Sequence, residues 1–314
     1  MSFLDLKHQE YAERTILRAM ARKRIPHAYI FHGPDGVGKE KFARACARLF
    51  LCEAKGQAAD SAPREACGTC PGCRAVAGET HPDLHIVHRY QSREHPDADV
   101  RKRKGLELGV DVIRHFLIDC VGLTSTRGRG KIFIVREADR ITPQAQNALL
   151  KTLEEPPQQT FLFLLVSSPD RLLPTFLSRC QSVRFDALPS EFITAQLTPL
   201  MPDLSTQHVE WYARSSCGSL GWAVTAAKDE LFELNERIVK GLAALHQPEV
   251  PHLTKGPRID PAKDNVSIAR KVAEADKNAK AWAEEADGLG ERYRKRDPDI
   301  TDTEATRRGL ETIF

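Results

Sequence analysis

The sequence has almost no surplus of charge of either sign: 314 residues carry 46 Lys+Arg against 43 Asp+Glu, a formal balance of +3. That excludes a histone-like polycation. It also lacks any run approaching the roughly 18 apolar residues that a membrane-spanning helix needs, so no membrane partner is expected. The first residues, MSFLDLKHQEYAER, are charged from Asp5 onward, unlike a secretory signal. The expected location is the cytoplasm. What remains is an ordinary globular composition, 41% hydrophobic and 28% charged, with length for two or three domains. Near-neutrality conceals one local surplus, because Arg89 to Lys131 holds ten Lys+Arg and six Asp+Glu, a net +4. Within it, Arg101 to Lys104 with Arg127, Arg129 and Lys131 forms either a solvated loop or a surface that meets phosphates.

Eight cysteines in a chain with no export signal do not read as a disulfide framework. Three of them crowd into ACGTCPGC as Cys67, Cys70 and Cys73. Two successive CxxC steps let the thiols face a common centre, and tetrahedral zinc then needs one more ligand. Cys52 is the nearest supply, with His81 or His85 as the alternative. Four thiolates leave no open position for substrate, so the expected site is a structural zinc.

Along the chain, Ile16, Leu17 and Met20 keep helical spacing, and HAYIF (27–31) is a short apolar strand. GPDGVGKE follows it, and KFARACARLFLC then has the 3.6-residue period of a helix. LHIVH (84–88) is a second strand, followed by a polar loop from Tyr90 to Gly105 and a helix from Val110 to Cys120. KIFIV (131–135) and FLFLLV (161–166) are continuous apolar runs, as in strands buried on both faces of a parallel sheet. Pro143 to Leu153 between them is a helix. Strands alternating with helices argue for an α/β domain. After SVRF (182–185) the signals become helical: a small domain to Lys228 interrupted by Gly218 and Gly221, then helix from Leu231, a proline-rich loop from Pro248 to Pro261, and a charged helix to about Arg296. The closing ETIF carries no helix stop signal, which suggests a longer natural chain or a partner for that face.

Gly33, Gly38 and Lys39 match GxxxxGK, with Gly36 between them. Glycines let backbone N–H groups face phosphate oxygens, the helix N-terminus adds positive potential, and the lysine reaches the terminal phosphates. Two positions are wrong for magnesium. The residue after Lys39, ordinarily Ser or Thr, is Glu40, and the Asp expected after a later apolar strand is Arg136. Each unit of charge about 6 Å from Mg²⁺, at an effective dielectric of about 20, is worth about 5 kcal/mol before relaxation. Glu137 stands where a water-activating base would be, yet without a held metal the site is expected to bind ATP or ADP weakly or not at all and to hydrolyse little.

Several stretches together resemble bacterial clamp-loader subunits of the AAA+ class, and among them the delta-prime family of DNA polymerase III: HAYIFHGPDGVGKEKFA, the Cys67 to Cys73 knuckle, VREADRITPQAQNALLKTLEEPP, LLVSSPDRLLPTFLSRCQSVRF and CGSLGWAV. The resemblance covers residues 8 to 228. It implies an AAA+ P-loop parallel sheet domain over 1–188 with a zinc knuckle (52–73), a small helical lid over 189–228, and a helical collar, complete or not, over 229–314. It also implies that Arg179, in Ser178-Arg179-Cys180, projects into a neighbour's ATP site as a trans arginine finger, that Ser167 or Ser168 is the first phosphate sensor, and that Gly221 replaces the arginine of the second. The chain would then be a stator of the polymerase holoenzyme, itself a DNA-directed nucleotidyltransferase. It would act without independent catalysis, in a five-membered ring with gamma/tau and delta subunits that loads the sliding clamp on primed DNA. The competing readings are a working gamma/tau-like ATPase and a zinc-structured nucleic-acid binder.

Overall fold

A computed structural model describes residues 7–54, 65–103, 105–246, 280, 284, 287–298 and 305. Lys104, the proline-rich segment 248–261, most of the helix read over 261–296 and the closing ETIF lie outside them. The chain divides into two compact units, Met1–Val224 and Thr225–Phe314.

The first unit is built on five parallel strands: β1 (Ala28–His32), β2 (Leu84–Val87), β3 (Lys131–Val135), β4 (Thr160–Val166) and β5 (Gln181–Arg184). They are ordered β2-β3-β4-β1-β5, which is the P-loop parallel sheet of the AAA+ class. The central strands β1, β3 and β4 are apolar at successive positions because helices cover both faces. On one face Tyr29 and Phe31 of β1 meet Phe163 of β4, with ring centroids 5.6 and 5.2 Å apart, and Phe31 meets Phe42 of α2 (Lys39–Phe50) at 5.5 Å. On the other, Ala28, Ile30, Phe133, Val135, Leu162 and Leu164 join one core. Each such aromatic, fully buried, contributes about 1.5–3 kcal/mol.

The remaining helices are α1 (Glu10–Ala21), α3 (Pro71–Ala77), α4 (Ala98–Arg101), α5 (Val110–Ile113), α6 (Asp119–Val121), α7 (Pro143–Glu154), α8 (Pro174–Leu177), α9 (Ser190–Leu200), α10 (Thr206–Ser215), α11 (Leu220–Lys228) and α12 (Leu231–His246). A π-helical stretch, Arg114–Ile118, joins α5 to α6. No described helix is long and apolar enough to cross a membrane.

Two local expectations change. The polar stretch from Tyr90 to Gly105 is not simply a loop: it contains a 3₁₀ helix, Arg89–Glu94, and α4, whose N-cap Asp97 accepts from the Asp99 N–H at 2.8 Å. Ser92 and Val100 are buried there, so tertiary packing overrides the polar composition. Gly218 separates α10 from α11 at φ +88, but Gly221 lies inside α11 and interrupts nothing. In the second unit, Asp229 accepts from Arg296 at 2.7 Å, and its carbonyl from Arg292 at 2.7 Å.

Candidate nucleotide site and thiol cluster

Parallel register brings four strand ends together. β1 aligns His32 with Val166 of β4, β4 aligns Leu164 with Val135 of β3, and β3 aligns Val135 with Val87 of β2. The residues just beyond these ends therefore share one crevice at the carboxyl edge of the sheet, where ligands bind in open α/β folds. It is a cavity of about 430 Å³ lined by Lys39, Glu40, His88, Arg136, Glu137 and Ser167 among others. Gly38, at φ +104, is the N-cap that turns β1's loop into α2, a conformation that L side chains rarely adopt.

The two residues that are wrong for magnesium bind each other. Arg136 Nη2 donates to Glu40 Oε1 at 2.5 Å, and Arg44 reaches the same carboxylate at 2.8 Å. Burial alone would raise Glu40, but the Arg136 and Arg44 guanidiniums outweigh it and hold the carboxyl below the usual range. An ion pair this exposed contributes about 1 kcal/mol or less. Its importance lies in its place, because this fixed cation and anion line the crevice at the two positions where the motif reading looks for magnesium ligands. Arg44 also meets Glu79 at 2.9 Å, linking the pair to the segment after α3.

Lys39 is turned onto its own loop. Its ammonium donates to the Gly33 carbonyl, to Pro34 O at 2.9 Å and to Asp35 Oδ1 at 3.1 Å. Ser167 Oγ donates to that same Asp35 oxygen at 2.8 Å, whereas Ser168 turns to Asp170 at 3.0 Å. Of the two serines, Ser167 is the one in the cavity. Gly221 donates its N–H to Gly36 O at 3.1 Å, and a Cβ on Gly36 would lie 2.9 Å from Gly221 Cα. Gly36→Ala, which must also adopt φ +74, is expected to cost about 1–3 kcal/mol, read as a fall of several degrees in thermal midpoint.

Glu137 is engaged by two arginines. It adopts a left-handed backbone, φ +47, and its carboxylate accepts from buried Arg89 at 2.8 Å and lies 3.2 Å from Arg140. Arg89 also donates to Gly105 O at 2.7 Å. Arg179 sits just past α8. It donates to Thr175 O at 2.7 Å and to Glu154 Oε1 at 2.5 Å, with a third of its side chain exposed.

The four cysteines converge. The sulfurs of Cys52, Cys67, Cys70 and Cys73 lie within 4.8 Å of one another, and those of Cys67 and Cys73 are 3.9 Å apart. A tetrahedron with Zn–S bonds of about 2.3 Å has edges of roughly 3.8 Å, so the set fits a metal ion such as zinc. Backbone N–H groups already face the sulfurs: Cys70 N to Cys67 at 3.4 Å, Glu53 N to Cys70 at 3.4 Å and Cys67 N to Cys52 at 3.5 Å. Backbone donors, the Cys70 N–H first, bring the Cys67 thiol down to about 6, while burial pushes Cys73 up to about 12. His81 accepts from the Asp83 N–H through Nδ1, at 3.1 Å, and stands outside the cluster.

The described cations of the basic stretch are engaged internally. Arg127 pairs with Glu53 at 2.5 Å, Arg129 donates to Glu53 O at 3.0 Å, Arg103 pairs with Asp111 at 2.7 Å, Lys102 with Asp99 at 3.0 Å, Arg101 donates to His95 O at 2.7 Å and Lys131 to Cys120 O at 2.6 Å. Sequence reading flagged Glu40 and Arg136 separately and missed their pairing, for which opposite charges at two neighbouring motif positions were the available signal. Asp35, Arg44, Arg89 and Glu154 carried no such signal.

Residues 8–189 match the family model described as "DNA polymerase III, delta subunit". The chain is 30% identical over 235 residues to DNA polymerase III subunit delta' of Bacillus subtilis, covering 74% of this chain and 64% of that one. To subunit delta' of Pseudomonas aeruginosa it is 32% identical over 232 residues, covering 73% and 64%. To subunit tau of Escherichia coli it is 32% identical over 223 residues, covering 70% of this chain and 31% of that one. The matched stretch thus spans less than two thirds of these curated relatives.

Proposed function

Because the chain belongs to the DNA polymerase III delta-subunit family, we propose that it is a delta-prime-type stator of the clamp loader, which holds a place in the ring of gamma/tau and delta subunits and completes a neighbour's ATP site with Arg179. In such a ring the ATPase subunits open the sliding clamp and release it on primed DNA, and this chain turns over little or no nucleotide itself. The observation that carries the reading is the Glu40 to Arg136 ion pair standing where magnesium would be held. Glu137, bound by Arg89 and near Arg140, supports it further, since both of its carboxylate oxygens are already engaged by guanidiniums. The residues proposed to remain of the ancestral site are Gly33, Gly36, Gly38, Lys39 and Ser167.

In the same reading Cys52, Cys67, Cys70 and Cys73 hold a structural zinc, domain limits fall near 188 and 228, and the protein works in the cytoplasm. Identity to tau is similar to identity to delta', so the rival is a working ATPase. The isolated chain with Mg-ATP discriminates between them. Hydrolysis is expected at the background rate, with Lys39→Ala indistinguishable from the unaltered chain. Magnesium-dependent turnover that disappears on Lys39→Ala would sink the stator reading.

A further inference from the structure

One oxygen of Asp35 accepts from both Lys39 Nζ, at 3.1 Å, and Ser167 Oγ, at 2.8 Å. A phosphate-loop lysine ordinarily reaches terminal phosphates, and the hydroxyl at the end of β4 faces the same point from the neighbouring strand. The carboxylate therefore sits where the two donors converge. Other bonds fix the loop around it: Lys39 donates to the Gly33 and Pro34 carbonyls, and the carbonyl of Gly36, the next residue, accepts from Gly221.

We infer that the Asp35 carboxylate stands in for a terminal phosphate and is a specificity-determining residue that excludes a third phosphate from this pocket. The inference rests on reading the crevice as a degenerate nucleotide site. Its chemistry follows from charge and donors. An incoming γ-phosphate must take the Lys39 and Ser167 donors away from the Asp35 carboxylate that already holds them, while the neighbouring guanidiniums of Arg136 and Arg44 are committed to Glu40. A diphosphate need not reach that point. The Asp35 side chain is 82% exposed, so it can swing outward, and the exclusion is a matter of competition rather than of a sealed wall.

The test is equilibrium dialysis of the full chain with radiolabelled ADP and ATP in excess EDTA, which removes metal from the comparison. The unaltered chain is expected to retain ADP more tightly than ATP. Asp35→Ala is expected to tighten ATP about fivefold, the upper range for a single exposed charge contact, while changing ADP by less than about twofold. Asp35→Asn, which keeps the shape and removes the charge, should fall between. Adding Lys39→Ala to Asp35→Ala should abolish the gain, tying it to the loop. ATP affinity unchanged in Asp35→Ala, an equal gain for both nucleotides, or no retention of either nucleotide by either chain at millimolar concentration would each overturn the assignment. None of these outcomes touches the stator reading, which is decided by hydrolysis in the isolated chain and by Arg179 in the assembled ring.

Discussion

Arg179→Ala, placed in a fully assembled ring with partner ATPase subunits, is expected to slow hydrolysis about 10³-fold at the one site it is proposed to complete, the lower end of what an arginine finger supplies. Steady-state turnover then falls only by that site's share, because the substitution alters no other site. Single-turnover kinetics resolve the effect as one fraction of bound ATP that becomes slow. The physical basis is a planar guanidinium that puts two donors on charge developing in the transferred phosphoryl group. In the free chain it is already oriented, by Thr175 O at 2.7 Å and Glu154 at 2.5 Å. Arg179→Lys is expected to recover little, since an ammonium cannot make the forked contact. Assembly should be unaffected, because the side chain is a third exposed and makes its bonds locally. Unchanged single-turnover kinetics in a complete ring would remove Arg179 from the mechanism.

The parts legible in the sequence are those whose signal is local. KIFIV is β3 residue for residue, and FLFLLV is β4 short of Thr160, because continuous apolar runs mark strands covered on both faces. The glycine loop and the thiol spacing are likewise contained within a few turns of chain. The rest depends on topology. Glu40 and Arg136 are 96 residues apart and meet only because β1 and β3 both flank β4. The helical turns at Arg89–Glu94 and Ala98–Arg101 were hidden by polar composition, and the π-helical stretch within the helix from Val110 leaves no trace in periodicity. Asp35 carries no signal of its own in the sequence, because its partner Ser167, which shares its carboxylate with Lys39, lies 132 residues away. In the basic stretch, read as either a solvated loop or a phosphate-meeting surface, Arg127 and Arg129 are both committed to Glu53 beside the thiol cluster, a pairing across more than 70 residues that the sequence does not announce.

That commitment sets the expected result of removing zinc. Chain purified without chelators should carry one zinc per molecule, and Cys73→Ser should carry none. Apparent zinc binding in small thiolate-bearing peptides is worth about 10–16 kcal/mol at neutral pH, so residues 65–80, which carry three of the four thiols, have no comparable source of order once the metal is stripped. Apolar burial in α3 is slight: Cys73 and Val76 are its buried apolar side chains, while Pro71, Arg74 and Ala77 are exposed. Hydrogen exchange should therefore rise steeply across residues 65–80 and reach Arg127 and Arg129, which lose Glu53 as a fixed partner. It should leave β1, β3 and β4 protected, since their aromatic core does not involve the cluster. Arg44 predicts the one effect at a distance: with Glu79 released, Arg44 remains with Glu40 alone, and exchange at the start of α2 should increase slightly rather than collapse. Purified chain that contains no zinc, or a stripped chain whose residues 65–80 stay protected, would refute the four-thiolate assignment. A collapse of the whole sheet on stripping would mean instead that the cluster supports the central fold, which the separation of its contacts from the β1 and β4 aromatics argues against.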